Sequence, residues 1–227
     1  MRLAALFSGG KDSTYAVYDS LKKGHGVACL VSLIPKSPES YMFHYPNAEY
    51  TKLQAESMGI PIIIRRTAGE KEKELDDMEA ALADAKEKFN ISGIVAGALA
   101  SRYQKERVEM VAKKLNLELL APQWNIEPEK YWDMLLDEDF NVMIIGVACE
   151  GLDKSWLGRT MNRQSLEELK LLAKKYRFHL AFEGGEAETF VTDCPIFKKR
   201  LEIQEARKEW SSDSGFYFFK NVKLVDK

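Results

Sequence analysis

The chain alternates between short unbroken apolar runs and longer stretches in which apolar residues recur every three or four positions. The first run, Leu3 to Phe7, has the length of a strand buried on both faces. The period then changes: Ala16, Val17 and Leu21 keep helical spacing until Lys22, Lys23 and Gly24 close the segment. Further strand-like runs lie at Val27 to Ile34, Ile60 to Ile64, Ile91 to Ala96, Leu117 to Leu120 and Val142 to Val147. Between them, Val108, Val111, Ala112 and Leu115 fall at i, i+3, i+4 and i+7 of one helix. Leu75, Met78, Leu82 and Ala85 draw an apolar stripe through the charged stretch Glu70 to Lys88, which predicts a surface helix whose charges are simply solvated. Strands alternating with helices in this way predict an α/β fold built on a doubly wound parallel sheet.

Near Cys149 the texture changes. "EGLDKSWLGRT" loses periodicity, "SLEELKLLAKKY" regains a helical one, and "RLEIQEARKEW", "SSDSG" and "FYFFKNVKLV" follow as strand, turn and strand of an antiparallel hairpin. The expected division is a main domain over 1–146 and a smaller C-terminal α+β domain over 147–227. In open α/β sheets ligands sit beyond the carboxyl ends of the strands, which points to Gly9, Gly97 and the loops of the second domain.

Directly after the first strand comes Ser8-Gly9-Gly10-Lys11-Asp12-Ser13. In a strand–loop–helix arrangement the N–H groups of the glycines and of the first helical turn converge on one point, and the helix dipole adds positive potential there. An anion fits that point, with Lys11 supplying a full charge beside it. The spacing excludes a Walker A loop, since Gly9 and Gly10 are adjacent, and it excludes the G-x-G-x-x-G dinucleotide fingerprint. The plainer alternative is a turn at Gly9 and Gly10 with Asp12 or Ser13 capping the helix; it leaves Lys11 unexplained. Phosphate binding is the reading adopted for the main domain.

Composition narrows the partners. At 227 residues, 45% hydrophobic and 30% charged, the chain has ample material for a large core. A net charge of −2 gives no overall cationic field to hold nucleic acid, although it leaves a local basic patch open. No apolar run approaches membrane-spanning length and no signal-like stretch precedes the first strand, so a cytoplasmic protein is expected. Cys29, Cys149 and Cys194 are far apart and form no C-x-x-C pair, which argues against a zinc site or a disulfide framework. Cys29, inside an apolar strand, reads as a small buried hydrophobe.

Three more loops are candidates. His44 lies in "SYMFHYPN", Gly97 opens "GALASRYQ", and Glu183 to Thr189 form "EGGEAET". The first two have bland readings as a surface histidine and a strand end. In the third, Glu183, Glu186 and Glu188 crowd together and repel one another unless a cation, a metal or a donor-rich substrate shares the site; the alternative is an exposed acidic turn.

The SGGKDS loop resembles that of the N-type ATP pyrophosphatases, and "GALASRYQKERVE" with "EGGEAETFVTDCPIF" is similar to the diphthine–ammonia ligase family within that superfamily. The likeness runs from Met1 to about Leu201. It implies an adenine nucleotide α-hydrolase-like, HUP-type fold. It also implies a reaction in which ATP activates the carboxylate of diphthine, a modified histidine on elongation factor two, as an acyl-adenylate, and ammonia displaces AMP to give diphthamide.

Carried over position by position, Ser8, Gly9, Gly10, Lys11, Asp12, Ser13, His44, Gly97, Tyr103 and Gln104 are expected around ATP. Glu183, Gly184, Gly185, Glu186, Glu188 and Thr189 are expected around the diphthine-bearing residue. Lys11, Asp12 and Glu186 are the expected catalytic residues, with Mg²⁺ near Asp12. Diphthine carries a trimethylammonium group, which carboxylates and an aromatic face from Trp124, Trp132 or Trp156 would attract, although core packing is the ordinary role of a tryptophan. Free ammonia is the expected nitrogen source because the chain shows no glutaminase nucleophile. A homodimer is left open. Two alternatives stand beside this reading: adenylation of a tRNA base or small carboxylic acid, and an ATP-binding regulatory module without AMP release.

Overall fold

The computed structural model describes residues 1–35, 47–67, 73–97 and 102–227, and divides into two compact units, Met1–Trp124 and Asn125–Lys227. In the first unit β1 (Arg2–Leu6) leads into α1 (Lys11–Lys22) and β2 (Gly26–Pro35). A short 3-10 turn (Ala48–Tyr50), α2 (Thr51–Met58), β3 (Ile62–Thr67) and α3 (Lys73–Phe89) come next, followed by β4 (Gly93–Val95), α4 (Arg102–Lys114) and β5 (Glu118–Leu120).

These five strands form one parallel sheet in the order β3-β2-β1-β4-β5. β1 is central and its Leu3, Ala4 and Ala5 are fully buried, as an apolar run flanked on both sides requires. Ala4, Cys29, Val31 and Ile94 share one core layer with Met78 and Leu82 of α3 and with Val108 and Val111 of α4. The charged stretch in the sequence is thus amphipathic, with its apolar stripe sunk in this layer. Strand side chains alternate, so Leu3, Ala5, Leu30 and Val95 turn to the other face. α1 touches β1, β2 and β4 without joining the first layer, and buries Ala16 and Val17. Helices on both faces make the sheet doubly wound, as expected. The chain fills one side of β1 with β2 and β3 and then returns to place β4 on the other. The end of β1 is therefore the point where the strand order reverses, the crevice where such sheets hold ligands.

The second unit contains α5 (Pro128–Asp137), β6 (Asn141–Val147), a 3-10 turn (Lys154–Trp156), α6 (Arg163–Tyr176), β7 (Ala187–Asp193), β8 (Arg200–Ser211) and β9 (Ser214–Val225). Its sheet is antiparallel, ordered β7-β6-β9-β8. α6 starts with a reciprocal cap between Asn162 and Ser165, and the expected terminal hairpin is present as β8 and β9, paired from Arg200–Val225 to Ser211–Ser214.

Two expectations are corrected here. Val142 to Val147 belongs to β6 of the antiparallel sheet, so the units meet after Trp124 and not near Gly146. β6 is an inner strand with Val142 and Ile144 to Val147 all buried; with both faces covered it loses the period-two alternation that marks an antiparallel strand. The acidic loop is also shorter than read, because Ala187 to Thr189 are already β7. None of the described helices is long and apolar enough to cross a membrane.

Candidate phosphate loop and acidic turn

The first unit's site begins where β1 ends. Gly9 adopts φ +81°, a left-handed conformation that suits a residue without Cβ, and turns the chain into α1. Gly10 is the residue before the helix; it has no side chain to cap with, and its N–H lies 3.5 Å from the Ser8 hydroxyl. Neither Asp12 nor Ser13 is the N-cap, so the dipole of α1 starts at a glycine beside Lys11.

Ser13 instead laces the loop: its Oγ donates to the Gly10 carbonyl at 3.2 Å and accepts from the Ser8 N–H at 3.2 Å, with the Ser8 hydroxyl also 3.2 Å away. Lys11 is 2% exposed and its ammonium donates to Asp12 Oδ2 at 2.9 Å, while the Asp12 side chain keeps 32% exposure. A buried cation and a half-exposed carboxylate thus meet at the uncapped helix start.

Gly97, just beyond β4, packs against this turn so closely that a Cβ would lie 2.6 Å from the Asp12 carbonyl carbon and 2.8 Å from the Ser13 nitrogen. Two glutamines that the sequence reading missed complete the surroundings. Gln54 of α2, fully buried, donates its side-chain amide to the Gly9 carbonyl at 2.9 Å. Gln123, buried after β5, donates to the Asp12 carbonyl at 2.6 Å. Gln54 carried a readable signal, since Thr51, Gln54, Ala55 and Met58 make a buried i, i+3, i+4, i+7 stripe with a polar residue in it. Gln123 carried none.

His44 lies outside the described residues, and Tyr103 and Gln104 fall on α4 with side chains outside them. Trp124 is 38% exposed and its ring is covered by the Lys105 ammonium at 4.1 Å.

The second unit's acidic turn is held by Glu186. One of its carboxylate oxygens accepts from the His179 N–H at 2.9 Å and the other from the Gly184 N–H at 2.8 Å, closing the turn on itself. The Glu183 N–H lies 3.4 Å from His179 Nδ1, with the Glu183 carboxylate 3.9 Å from Nε2. Glu183, Gly184 and Gly185 are exposed, Glu186 half-buried. Glu188 and Thr189 stand on β7 opposite Gly146 and Ile144. Three carboxylates coexist because one is satisfied by backbone donors and another has stepped onto a strand.

Trp132 and Trp156 are core residues; the Trp132 indole N–H donates to the Leu180 carbonyl at 2.9 Å, and its ring meets Phe182 edge-on at 5.9 Å. Burial pushes the Cys29 thiol up to about 11 and the Cys194 thiol to about 12, so both behave as small hydrophobes.

A parallel sheet whose switch point carries a glycine turn into a helix, with a lysine sunk beside it, defines an α/β protein with a candidate anion site at the end of β1. Comparison with known proteins sharpens that class. The diphthamide synthase N-terminal domain matches residues 1–119 and the diphthamide synthase C-terminal domain matches residues 127–225, the two matches meeting where the two units do. The human and mouse proteins named diphthine–ammonia ligase are 36% and 35% identical, each over 95% of this chain and 88% of their own length. A longer fission-yeast protein of the same name is 30% identical over the whole chain, which spans 40% of it. The chain belongs to the diphthamide synthase family.

Proposed function

We propose that this chain is an AMP-forming amide ligase that uses ATP and ammonia to convert the diphthine carboxylate of elongation factor two into the amide of diphthamide. The observation that carries the reading is the start of α1: a glycine N-cap that brings no capping side chain of its own, next to a buried lysine. ATP seats its β- and γ-phosphates there. A diphthine carboxylate oxygen bonds to the α-phosphorus, the bond from that phosphorus to the bridging oxygen breaks, and pyrophosphate leaves into the N–H groups and the Lys11 charge. Ammonia then attacks the acyl carbon, loses a proton, and AMP departs.

Lys11 already has an acceptor in Asp12, so the pair is poised to part when phosphate arrives, the ammonium turning to the anion and the carboxylate to a cation. Asp12 fits Mg²⁺, a hard ion that takes one or two carboxylates together with substrate phosphate; when bound it neutralises charge on the departing pyrophosphate. Gly97, Tyr103, Gln104 and His44 surround the nucleotide in this reading. In the second unit, Glu186 shapes the turn through its backbone bonds, and Glu183, Gly184, Gly185, Glu188 and Thr189 meet the diphthine-bearing residue, with Glu183 exposed toward the trimethylammonium charge. Such a ligase works in the cytoplasm, where its protein substrate is found.

The test is mass analysis of diphthine-bearing elongation factor two after incubation with the protein, ATP, Mg²⁺ and an ammonium salt. Conversion of the carboxylate to its amide with AMP release, abolished in Lys11→Ala, is expected. AMP release with an unchanged factor overturns the acceptor assignment, and the lack of any AMP overturns the ligase.

A further inference from the structure

Resting on the phosphate reading above, we propose that Gln54 and Gln123 are positioning residues of the ATP site: they hold the loop's carbonyls inward so that its N–H groups face the nucleotide. The Gly9 and Asp12 carbonyls bracket the Gly10–Lys11 step, and each receives one buried side-chain amide, at 2.9 Å from Gln54 and 2.6 Å from Gln123. A carbonyl oxygen only accepts, so each glutamine must present its nitrogen there.

The consequence differs at the two carbonyls. In a trans peptide the C=O and the next N–H point in opposite directions, and no described peptide is cis. Pinning the Gly9 carbonyl into the protein therefore turns the Gly10 N–H away from Gln54, to the side where the Ser8 hydroxyl stands 3.5 Å from it. Between two glycines that peptide plane meets little steric resistance to flipping, and a flipped plane would aim a carbonyl dipole at the phosphates. Gln54 removes that alternative. The Asp12 carbonyl is already part of α1, so Gln123 acts on a larger unit: it ties the first helical turn to the segment after β5, on the side where Gly97 presses the same peptide. The two amides come from elements on opposite sides of β1 in the chain's path, and neither belongs to the loop's own motif.

The experiment titrates ATP with Mg²⁺ into the full chain and into Gln54→Met, Gln123→Met and Gln54→Glu, and records melting temperature alongside. Met keeps the length and volume of Gln and removes the donor, and about a tenfold loss of ATP affinity is expected for each, with melting lowered by only a few degrees as the carbonyl loses its donor. In AMP formation the loss appears in the KM for ATP more than in kcat. Gln54→Glu supplies a second signature. Burial raises its carboxyl pKa, and the protonated form donates its O–H to the Gly9 carbonyl while the ionised form repels it. Its affinity relative to the unaltered chain therefore recovers as pH falls from about 8.5 to about 5.5. Met variants that bind ATP within about twofold of the unaltered chain, or a Gln54→Glu deficit independent of pH, overturn the proposal. If the Met variants do not fold, the pH ratio decides. An unaltered chain that binds no ATP overturns the phosphate reading itself.

Discussion

Gly97 lies against the backbone of Asp12 with no room for a methyl group, since a Cβ would stand 2.6 Å from the Asp12 carbonyl carbon. Both partners in the clash are main chain, so no side-chain rotation relieves it. Gly97→Ala is expected to push α1's first turn out of place, costing about 1–3 kcal/mol of stability in the first unit. ATP turnover should fall by at least about tenfold, more than a stability loss of that size accounts for in a folded sample. AMP release and a melting curve on the same preparation check both parts.

Trp132 should matter to the acidic turn without touching ATP. Its indole N–H holds the Leu180 carbonyl and its ring braces Phe182, which adopts φ +62° just before Glu183. Trp132→Phe removes the bond and strands that carbonyl, at about 1–2 kcal/mol, and Trp132→Ala costs about 3–5 kcal/mol. Denaturant unfolding measures these losses, and ATP affinity, which the proposed site places on the first unit, should stay near its original value in the folded Phe variant.

Glu186→Gln replaces a carboxylate that accepts two backbone N–H groups by an amide with one accepting oxygen, so one donor loses its partner. We expect about 1–2 kcal/mol of local destabilisation, read as faster hydrogen exchange at the His179 and Gly184 amides, together with a raised KM for the protein substrate. Exchange rates unchanged at both amides would contradict the clamp.

Cys194 predicts a pH dependence. Burial lifts its thiol from 9.0 to about 12 in the folded chain. Between those values the unfolded thiol releases its proton and the folded one keeps it, so the folded state binds more protons and stability falls as pH rises. The contribution is intact below about pH 9 and is lost by about pH 12. Melting temperature should therefore decline less steeply across that window in Cys194→Ala than in the unaltered chain, and a thiol reagent at neutral pH should reach Cys194 only on unfolding.

The first unit was legible because its inner strands are buried on both faces and its helices on one. Leu30 and Val31 or Ile94 and Val95 announce a parallel strand by sheer apolarity, and Val108 with Val111 announces α4 by period. β6 misled for the same reason, since an inner antiparallel strand covered on both faces carries the same signature. The glycine turn between β1 and α1 was readable as a local pattern between a strand and a helix. Gln123 was not, because its role arises from a contact with Asp12, far away in the chain, that no local pattern encodes. Glu186 was visible as a charge, but its bonds to backbone N–H groups, which make it a clamp, depend on how the turn closes.

The position of β1 has a consequence for how the protein is made. Parallel sheets assemble through contacts distant in sequence, and β1 is flanked by β2 on one side and β4 on the other. As the chain leaves the ribosome, the Ser8–Ser13 loop has no wall behind Asp12 until Gly97 follows, and no tie to the far edge until Gln123 does. The proposed nucleotide site is thus begun with β1 and completed only after β5, and a nascent chain stalled before β4 would carry the Ser8–Ser13 motif without the residues packed behind it.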